Sequence, residues 1–390
     1  MKRNFSYSFL FLIGCFLVFK HASSQVPEGT KAAPTNIRAT DCPCIYADNR
    51  VLFRVTAPEA AKVQVDLGKL YEMKKDDKGV WTVTTDPQDP GFHYYSLVID
   101  GFRFADPASE SFYGTGRMAS AVDIPETGVD FYAIKDVPHG EIRSRNYFSK
   151  TMNAWRNVNI YTPPGYDNDT RTSYPVLYIQ HGGGEDERGW AVQGKTNLIL
   201  DNLIAEKKAV PMIVVIANGN VTRPGATGGG GGYNDAAMTA FKEEMFENVI
   251  PFIEKNYRVK QGVASRAIAG LSMGGGQAFY TGLRNTDMFS HVGIFSTGLF
   301  GGINRQPNAA AFDPEATIPG LLTKAQTFNS KLKVFYISVG EQDPRIEATK
   351  KLIDTFKSKG LNVAFASFPG GHEWQVWRKS LHDFTQKLFK

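Results

Sequence analysis

The chain has 390 residues, 42% of them hydrophobic, enough to bury two packed cores and characteristic of a globular protein. A formal net charge of +5 is small at this length, and the Lys and Arg are scattered along the sequence, which excludes a nucleic-acid footprint.

Met1-Lys2-Arg3-Asn4, the apolar run Phe5 to Phe19 and Ala22-Ser23-Ser24 form the three regions of a secretory signal peptide. Residues 1–24 are therefore expected to be a leader cleaved near Ser24-Gln25, with the mature protein secreted or periplasmic. The run falls short of the ~20 apolar residues that a membrane span needs. Leu12-Ile13-Gly14-Cys15 also matches a bacterial lipobox, so a lipid anchor at Cys15 is the alternative, although Phe16 to Phe19 stay apolar beyond the cysteine. Cys42 and Cys44, separated by Pro43, suit neither a long-loop disulfide nor a four-ligand zinc site, and a structural role is expected for them.

Residues 25–112 read as a small all-β sandwich. Short alternating runs, Val51 to Val55, Lys62 to Leu67, Val80 to Thr84 and His93 to Ile99, are separated by turn residues, and Asp100-Gly101 fits a tight turn into Phe102-Arg103-Phe104. Residues 113–137 are rich in Gly and Pro with little periodicity and are expected to be a linker. From 138 to 390 strands and helices alternate. Strands are expected over Asn153–Tyr161, Val176–Ile179, Met212–Ile216, Ala267–Gly270, Val292–Phe295, Lys333–Ser338 and Val363–Phe368. Helices are expected over Leu198–Lys207, Ala236–Asn256, Ile346–Lys359 and Glu373–Leu388. Apolar strands separated by helices imply an α/β domain, a mostly parallel sheet covered on both faces.

Gly270-Leu271-Ser272-Met273-Gly274 matches the G-x-S-x-G nucleophile elbow, in which small residues flank a serine held on a sharp strand-to-helix turn. Asp343 and His372 follow it in the order Ser, Asp, His of α/β-hydrolases, each in a loop after an apolar strand. Strand-end loops on one edge of a parallel sheet converge, so the three side chains are expected to meet. A serine hydroxyl needs a base to take its proton, and histidine, with an ordinary pKa of ~6.5, serves as that base and then as an acid. Asp343 would hold the imidazole tautomer. Glu341 and Asp354 are rivals for that role, but Glu341 sits nearer the strand and Asp354 falls inside a helix. His93, His139, His291 and His382 are expected to be structural.

Gln180-His181-Gly182-Gly183-Gly184 follows a strand in the manner of the H-G-G-G oxyanion motif, so the backbone N–H groups of Gly183 and Met273 are the candidate oxyanion donors. Gly228 to Gly232 lacks the Gly-Lys-Ser/Thr of a phosphate loop and is expected to be a loop beside the active site. No stretch has metal-ligand spacing or a cofactor fingerprint, so neither a metal nor a cofactor is expected.

Asn159 to Tyr166, Tyr174 to Tyr178, His181 to Trp190, Gly270 to Gly275, Gly340 to Asp343, and Gly370-Gly371-His372 with Trp377-Arg378 resemble the esterase-D-like α/β-hydrolases, most closely carbohydrate esterase family 1. That family contains feruloyl and acetylxylan esterases. Ala57-Pro58, Gly79-Val80-Trp81, Tyr94-Tyr95, Asp100-Gly101 and Ala105-Asp106-Pro107 resemble the immunoglobulin-like family-48 carbohydrate-binding modules. The combination is similar to secreted feruloyl esterases. It implies a serine esterase acting on feruloylated or acetylated plant cell-wall polysaccharide, with Trp190 and Trp374 lining a pocket for a phenolic ring and His181 beside them. Acetylxylan and siderophore (enterobactin) esterases share the triad, although export counts against a cytoplasmic siderophore esterase. A non-catalytic carbohydrate-binding protein is the reading from another class, and the complete triad counts against it. Trp81 and the tyrosines could stack on sugar or form the sandwich core.

Overall fold

The computed structural model describes residues 27–37, 42–225, 233–301 and 311–390. The expected leader, Cys15 and the glycine run 228–232 lie outside them. No helix among the described residues is long and apolar enough to cross a membrane.

Among the described residues the C-terminal region forms an eight-stranded sheet. In chain order its strands are β1 (Glu141–Ser149), β2 (Ala154–Thr162), β3 (Val176–Gln180), β4 (Ile213–Ala217), β5 (Arg266–Leu271), β6 (His291–Phe295), β7 (Val334–Gly340) and β8 (Ala364–Phe368). Their order across the sheet is β1-β2-β4-β3-β5-β6-β7-β8. The β1–β2 and β2–β4 pairs are antiparallel and the rest parallel. Strands β3, β4 and β6 are buried along their whole length, the consequence of continuous apolar runs that helices cover on both faces. This is the α/β-hydrolase architecture. Parallel register brings the ends of β3 and β5 together at Gln180 and Gly270, and those of β7 and β8 at Gly340 and Phe368.

The expected strands and helices of this region appear with end shifts of a few residues, but the edge strand β1 was not expected and one expected helix departs internally. The expected continuous helix over Ala236–Asn256 is helical at Asp235–Glu243 and Ile250–Asn256 but widens to a π segment over Glu244–Val249. Pro251 has no N–H to donate and its ring crowds the preceding turn, so the ladder loosens ahead of it; the Ile250 N–H reaches back to the Met245 carbonyl. Within this segment Glu244 points inward, where its carboxylate accepts from Tyr147 and Ser149, both at 2.6 Å.

Residues 30–124 build two antiparallel sheets, one of five and one of six strands among the described residues, around Phe53, Val63, Val65, Trp81, Tyr95 and Leu97. Trp81 is buried and its indole donates to the Ala57 carbonyl at 2.8 Å, and the buried Tyr95 donates to Asp106 at 2.8 Å, so both are core residues. Asp100 and Gly101 take φ of 49° and 88°, the left-handed turn expected between the last strands. Cys42 and Cys44 are buried.

The expected linker, 113–137, requires correction. Strands Ser111–Gly114 and Arg117–Ile124 form a hairpin around Thr115-Gly116, and the second pairs with Gly91–Ile99 inside the sandwich. The signal is weak because Ala119, Ser120 and Ala121 occupy buried strand positions with small side chains. Only the stretch after Ile124 crosses to the hydrolase sheet.

The sandwich and the hydrolase share a core. Phe92, Phe112 and Ala121 belong to the same apolar cluster as Trp190, Trp374 and Trp377. Beside it the fully buried Arg378 lies 3.0 Å from Asp123 of the sandwich and donates through Nε to the Gln193 carbonyl at 2.8 Å. Removing one member of a buried pair strands the other charge, at a typical cost of about 3 kcal/mol. Asp123→Ala should lower stability by about that amount in urea unfolding followed by tryptophan fluorescence; an unchanged midpoint would show that this pair does not hold the two units together.

Candidate active site

At the end of β5 the chain turns sharply into the helix Met273–Arg284, and Ser272 at the turn has φ 50° and ψ −112°. A non-glycine residue there stores about 1–3 kcal/mol of backbone strain. The flanking glycines make the turn possible. A Cβ on Gly270 would lie 2.3 Å from the Gly274 carbonyl oxygen, and one on Gly274 would lie 2.5 Å from that of His181. The Ser272 N–H donates to the Phe295 carbonyl at 2.8 Å, which ties the turn to the neighbouring strand β6.

The three expected side chains meet. His372 Nε2 is 2.9 Å from Ser272 Oγ, and His372 Nδ1 is 2.8 Å from Asp343 Oδ2. With Nδ1 facing a carboxylate the ring proton resides there, leaving Nε2 to accept from the serine hydroxyl. Asp343 is fully buried and also accepts from the Arg345 guanidinium at 2.9 Å. Burial by itself would raise its pKa, but the hydrogen bonds from His372 and Arg345 outweigh that and hold the carboxyl below the usual range. The rivals are elsewhere: Asp354 is exposed on the helix Ile346–Ser358, and Glu341 is exposed beside Ser367.

The Gly182–Gly184 loop lies against the elbow, where the Gly274 N–H donates to the His181 carbonyl at 3.1 Å. Gly183 faces open space, with nothing within 4 Å of where a Cβ would be, so a substrate oxygen has room to approach its backbone. Met273 opens the helix, at the N-terminal end whose backbone N–H groups attract negative charge.

Two expected substrate contacts require correction. His181 is fully buried, with Nδ1 donating to the Gly182 carbonyl at 2.7 Å and Nε2 accepting from the Gly219 N–H at 2.9 Å. Burial pushes its pKa down, which keeps the ring neutral and able to make both bonds. Its chemistry is spent holding the loop. Trp190 is also fully buried; its indole donates to the Gln180 carbonyl at 2.9 Å and its ring meets Trp374 edge-on at 5.2 Å. It supports Trp374 from below, and Trp374 alone of the three lines the cleft.

That cleft, of about 350 Å³, opens above Ser272 and His372. Leu271, Trp374 and Trp377 wall it from the hydrolase, and Leu67, Phe92, His93, Tyr94 and Thr115 from the sandwich. Glu185 also reaches it, accepting from the Gly182 N–H at 3.1 Å; burial raises its pKa to about 7 against the lowering effect of that bond. Glu185, Leu67, Phe92 and Thr115 are functional candidates that the sequence pattern did not single out, whereas Tyr94, expected to stack on sugar or join the sandwich core, and His93, expected to be structural, also reach the cleft. For Glu185 a signal existed, an acidic residue directly after the glycine loop. Among the described residues no group of three or more His, Cys, Asp or Glu side chains is placed to hold a metal ion.

Sheet order, elbow and converging strand-end loops define an α/β-hydrolase. The Esterase family model matches residues 149–388, and the chain belongs to that family. It is 36% identical over 367 residues to an endo-1,4-beta-xylanase/feruloyl esterase of Xylanibacter ruminicola, an alignment covering 92% of this chain and 47% of that protein. The chain thus spans about half the length of this relative. Among solved structures, a ferulic acid esterase is similar over 64% of this chain and 98% of its own, at 27% identity and a TM-score of 0.54. The enterobactin esterase of Shigella flexneri shares the fold over 86% of this chain and 92% of its own, at 18% identity and a TM-score of 0.64.

The elbow geometry makes a direct prediction. Gly274→Ala pushes a methyl group into backbone at 2.5 Å, and overpacking of this kind typically costs about 1–3 kcal/mol. The variant should be less stable to heat and should lose ester hydrolysis in its folded fraction; a fully stable, fully active variant would contradict the close approach of loop and elbow.

Proposed function

We propose that this chain is an exported serine carboxylic-ester hydrolase that releases hydroxycinnamates such as ferulate from plant arabinoxylan through an acyl-enzyme. The observation that carries the reading is the Ser272–His372–Asp343 relay, with bonds of 2.9 and 2.8 Å, opening into an aromatic-walled cleft. In the first step Ser272 Oγ attacks the ester carbonyl while His372 Nε2 takes the hydroxyl proton. Asp343 steadies the imidazolium, and the N–H groups of Gly183 and Met273 receive the oxyanion. Collapse of the tetrahedral intermediate breaks the ester C–O bond, and His372 returns the proton to the departing sugar hydroxyl. A water activated by the same imidazole then attacks the acyl-enzyme, which releases the acid and restores Ser272.

The acyl preference rests on shape and chemistry. Phe92, Trp374 and Trp377 offer apolar ring faces and edges to a planar phenolic group, and such contacts add about 0.5–1.5 kcal/mol beyond burial. The 36% identity to a xylanase/feruloyl esterase supports the same choice. In this reading residues 1–24 are the export leader and the region from 138 onward carries the reaction. Trp81 and Tyr95 are committed to the sandwich core, so neither is assigned to sugar stacking in this reading.

A panel of methyl ferulate, methyl p-coumarate, acetylated xylan and ferric enterobactin tests the reading. Methyl ferulate should give the highest kcat/KM, with Ser272→Ala reduced to background and Asp343→Asn lower by about 10⁴-fold in kcat. Full activity in Ser272→Ala would remove the nucleophile assignment, and a preference for ferric enterobactin or acetylated xylan would replace the proposed substrate.

A further inference from the structure

The Gly182–Gly184 loop does not stand by itself; the sandwich grips it at two points. The Gly116 N–H, in the hairpin turn of the sandwich, donates to the Gly184 carbonyl at 2.8 Å, and a Cβ on Gly184 would lie 2.8 Å from that same nitrogen. One residue further on, Glu185 is met by Tyr94 from the sandwich strand Gly91–Ile99. The Tyr94 hydroxyl accepts from Gln193 Nε2 at 2.9 Å and from Trp374 Nε1 at 3.2 Å, and its own proton is directed to Glu185 Oε1 at 3.4 Å. The other carboxyl oxygen, Oε2, accepts from the Gly182 N–H at 3.1 Å.

The donors and acceptors around Tyr94 and Glu185 fix the charge state of this arrangement. A tyrosine hydroxyl has one proton and two lone pairs, and here all three are used. Donors face both oxygens of Glu185, so the network is complete with an ionised carboxylate and has no acceptor for an extra proton. Burial opposes that state and lifts the Glu185 pKa to about 7, while burial keeps the Tyr94 hydroxyl protonated far above neutrality. Asp186 from the same segment adds to the upward shift. His93 from the sandwich and His372 and Glu373 from the C-terminal loop share the cleft.

We propose that Tyr94 is a positioning residue of the esterase site: its hydroxyl fixes Glu185 and, through Glu185, the loop whose Gly183 N–H receives the oxyanion, so that the sandwich completes the catalytic geometry. This rests on the serine-esterase reading above. The same hydroxyl holds Trp374, whose ring meets Trp377 at 5.2 Å; Trp377 in turn meets His372 at 5.0 Å. Tyr94 thus touches both walls of the acyl pocket without contacting the reacting atoms. Its place also depends on Gly114, where a Cβ would lie 2.2 Å from the Tyr94 oxygen.

The test uses the full chain with p-nitrophenyl acetate as reporter, so a different acyl preference does not affect it. Tyr94→Phe keeps the ring packed on Phe92, and Glu185→Gln keeps the side-chain shape; thermal melts verify folding, and either variant decides the question if the other does not fold. Each should lower kcat about tenfold with KM within about twofold, less than the loss of an oxyanion donor itself. In Tyr94→Phe the acid limb of the kcat profile should move to higher pH, because the lost hydroxyl was stabilising the Glu185 carboxylate. In Glu185→Gln the limb due to this carboxyl should vanish. The double variant should be no worse than the poorer single variant, since both act through one contact. An unchanged kcat and pH profile in either folded variant, or losses that multiply in the double variant, would overturn the proposal. A parent chain inert to p-nitrophenyl acetate and to fluorophosphonates would overturn the esterase reading and this proposal with it.

Discussion

The crossing of two backbones at the elbow governs the rest of the hydrolase region. Gly270 and Gly274 approach so closely that a Cβ on either would sit within 2.5 Å of a carbonyl oxygen, and Ser272 between them holds φ at 50°. Such a turn persists only where the surroundings over-determine it. Here they do: β5 is paired on both sides, the Ser272 N–H is taken by Phe295, and the Gly274 N–H is taken by His181. The same contacts place the Gly182–Gly184 loop beside the serine, so the fold that strains Ser272 also assembles the groups around it.

Around this elbow the sandwich and the hydrolase behave as one packed body. Phe92 and Phe112 enter the tryptophan cluster under the cleft, and the Arg378–Asp123 pair is enclosed beside it. The strand Gly91–Ile99 serves both units, with Tyr95 and Leu97 in the sandwich core and Phe92 and Tyr94 against the hydrolase. The cleft is therefore a product of the interface, with Leu67, Gly68, Phe92, His93, Tyr94 and Thr115 of its lining contributed by the sandwich.

What was legible in the sequence follows from how local each signal is. The elbow is a five-residue backbone requirement, and the positions of Asp343 and His372 after apolar strands follow from sheet topology, so all three could be read without coordinates. Whether a residue next to a strand end points into the cleft or into the core is decided by packing. His181 and Trp190 accordingly turned inward to hold the loop and support Trp374. The Tyr94–Glu185 contact joins positions 91 residues apart, one on a sandwich strand and one in the loop after β3, and has no local signature. The strand Arg117–Ile124 was obscured by small side chains, and the π segment, which Pro251 imposes, by the regular helical pattern around it.

The proposed reaction begins with a covalent event at one oxygen, that of Ser272. Treating the intact chain with a fluorophosphonate and mapping the labelled peptide by mass spectrometry reads that event directly. A single adduct on Ser272, strongly diminished in His372→Ala, is the predicted result; no adduct, or an adduct on another serine that persists in Ser272→Ala, would contradict it.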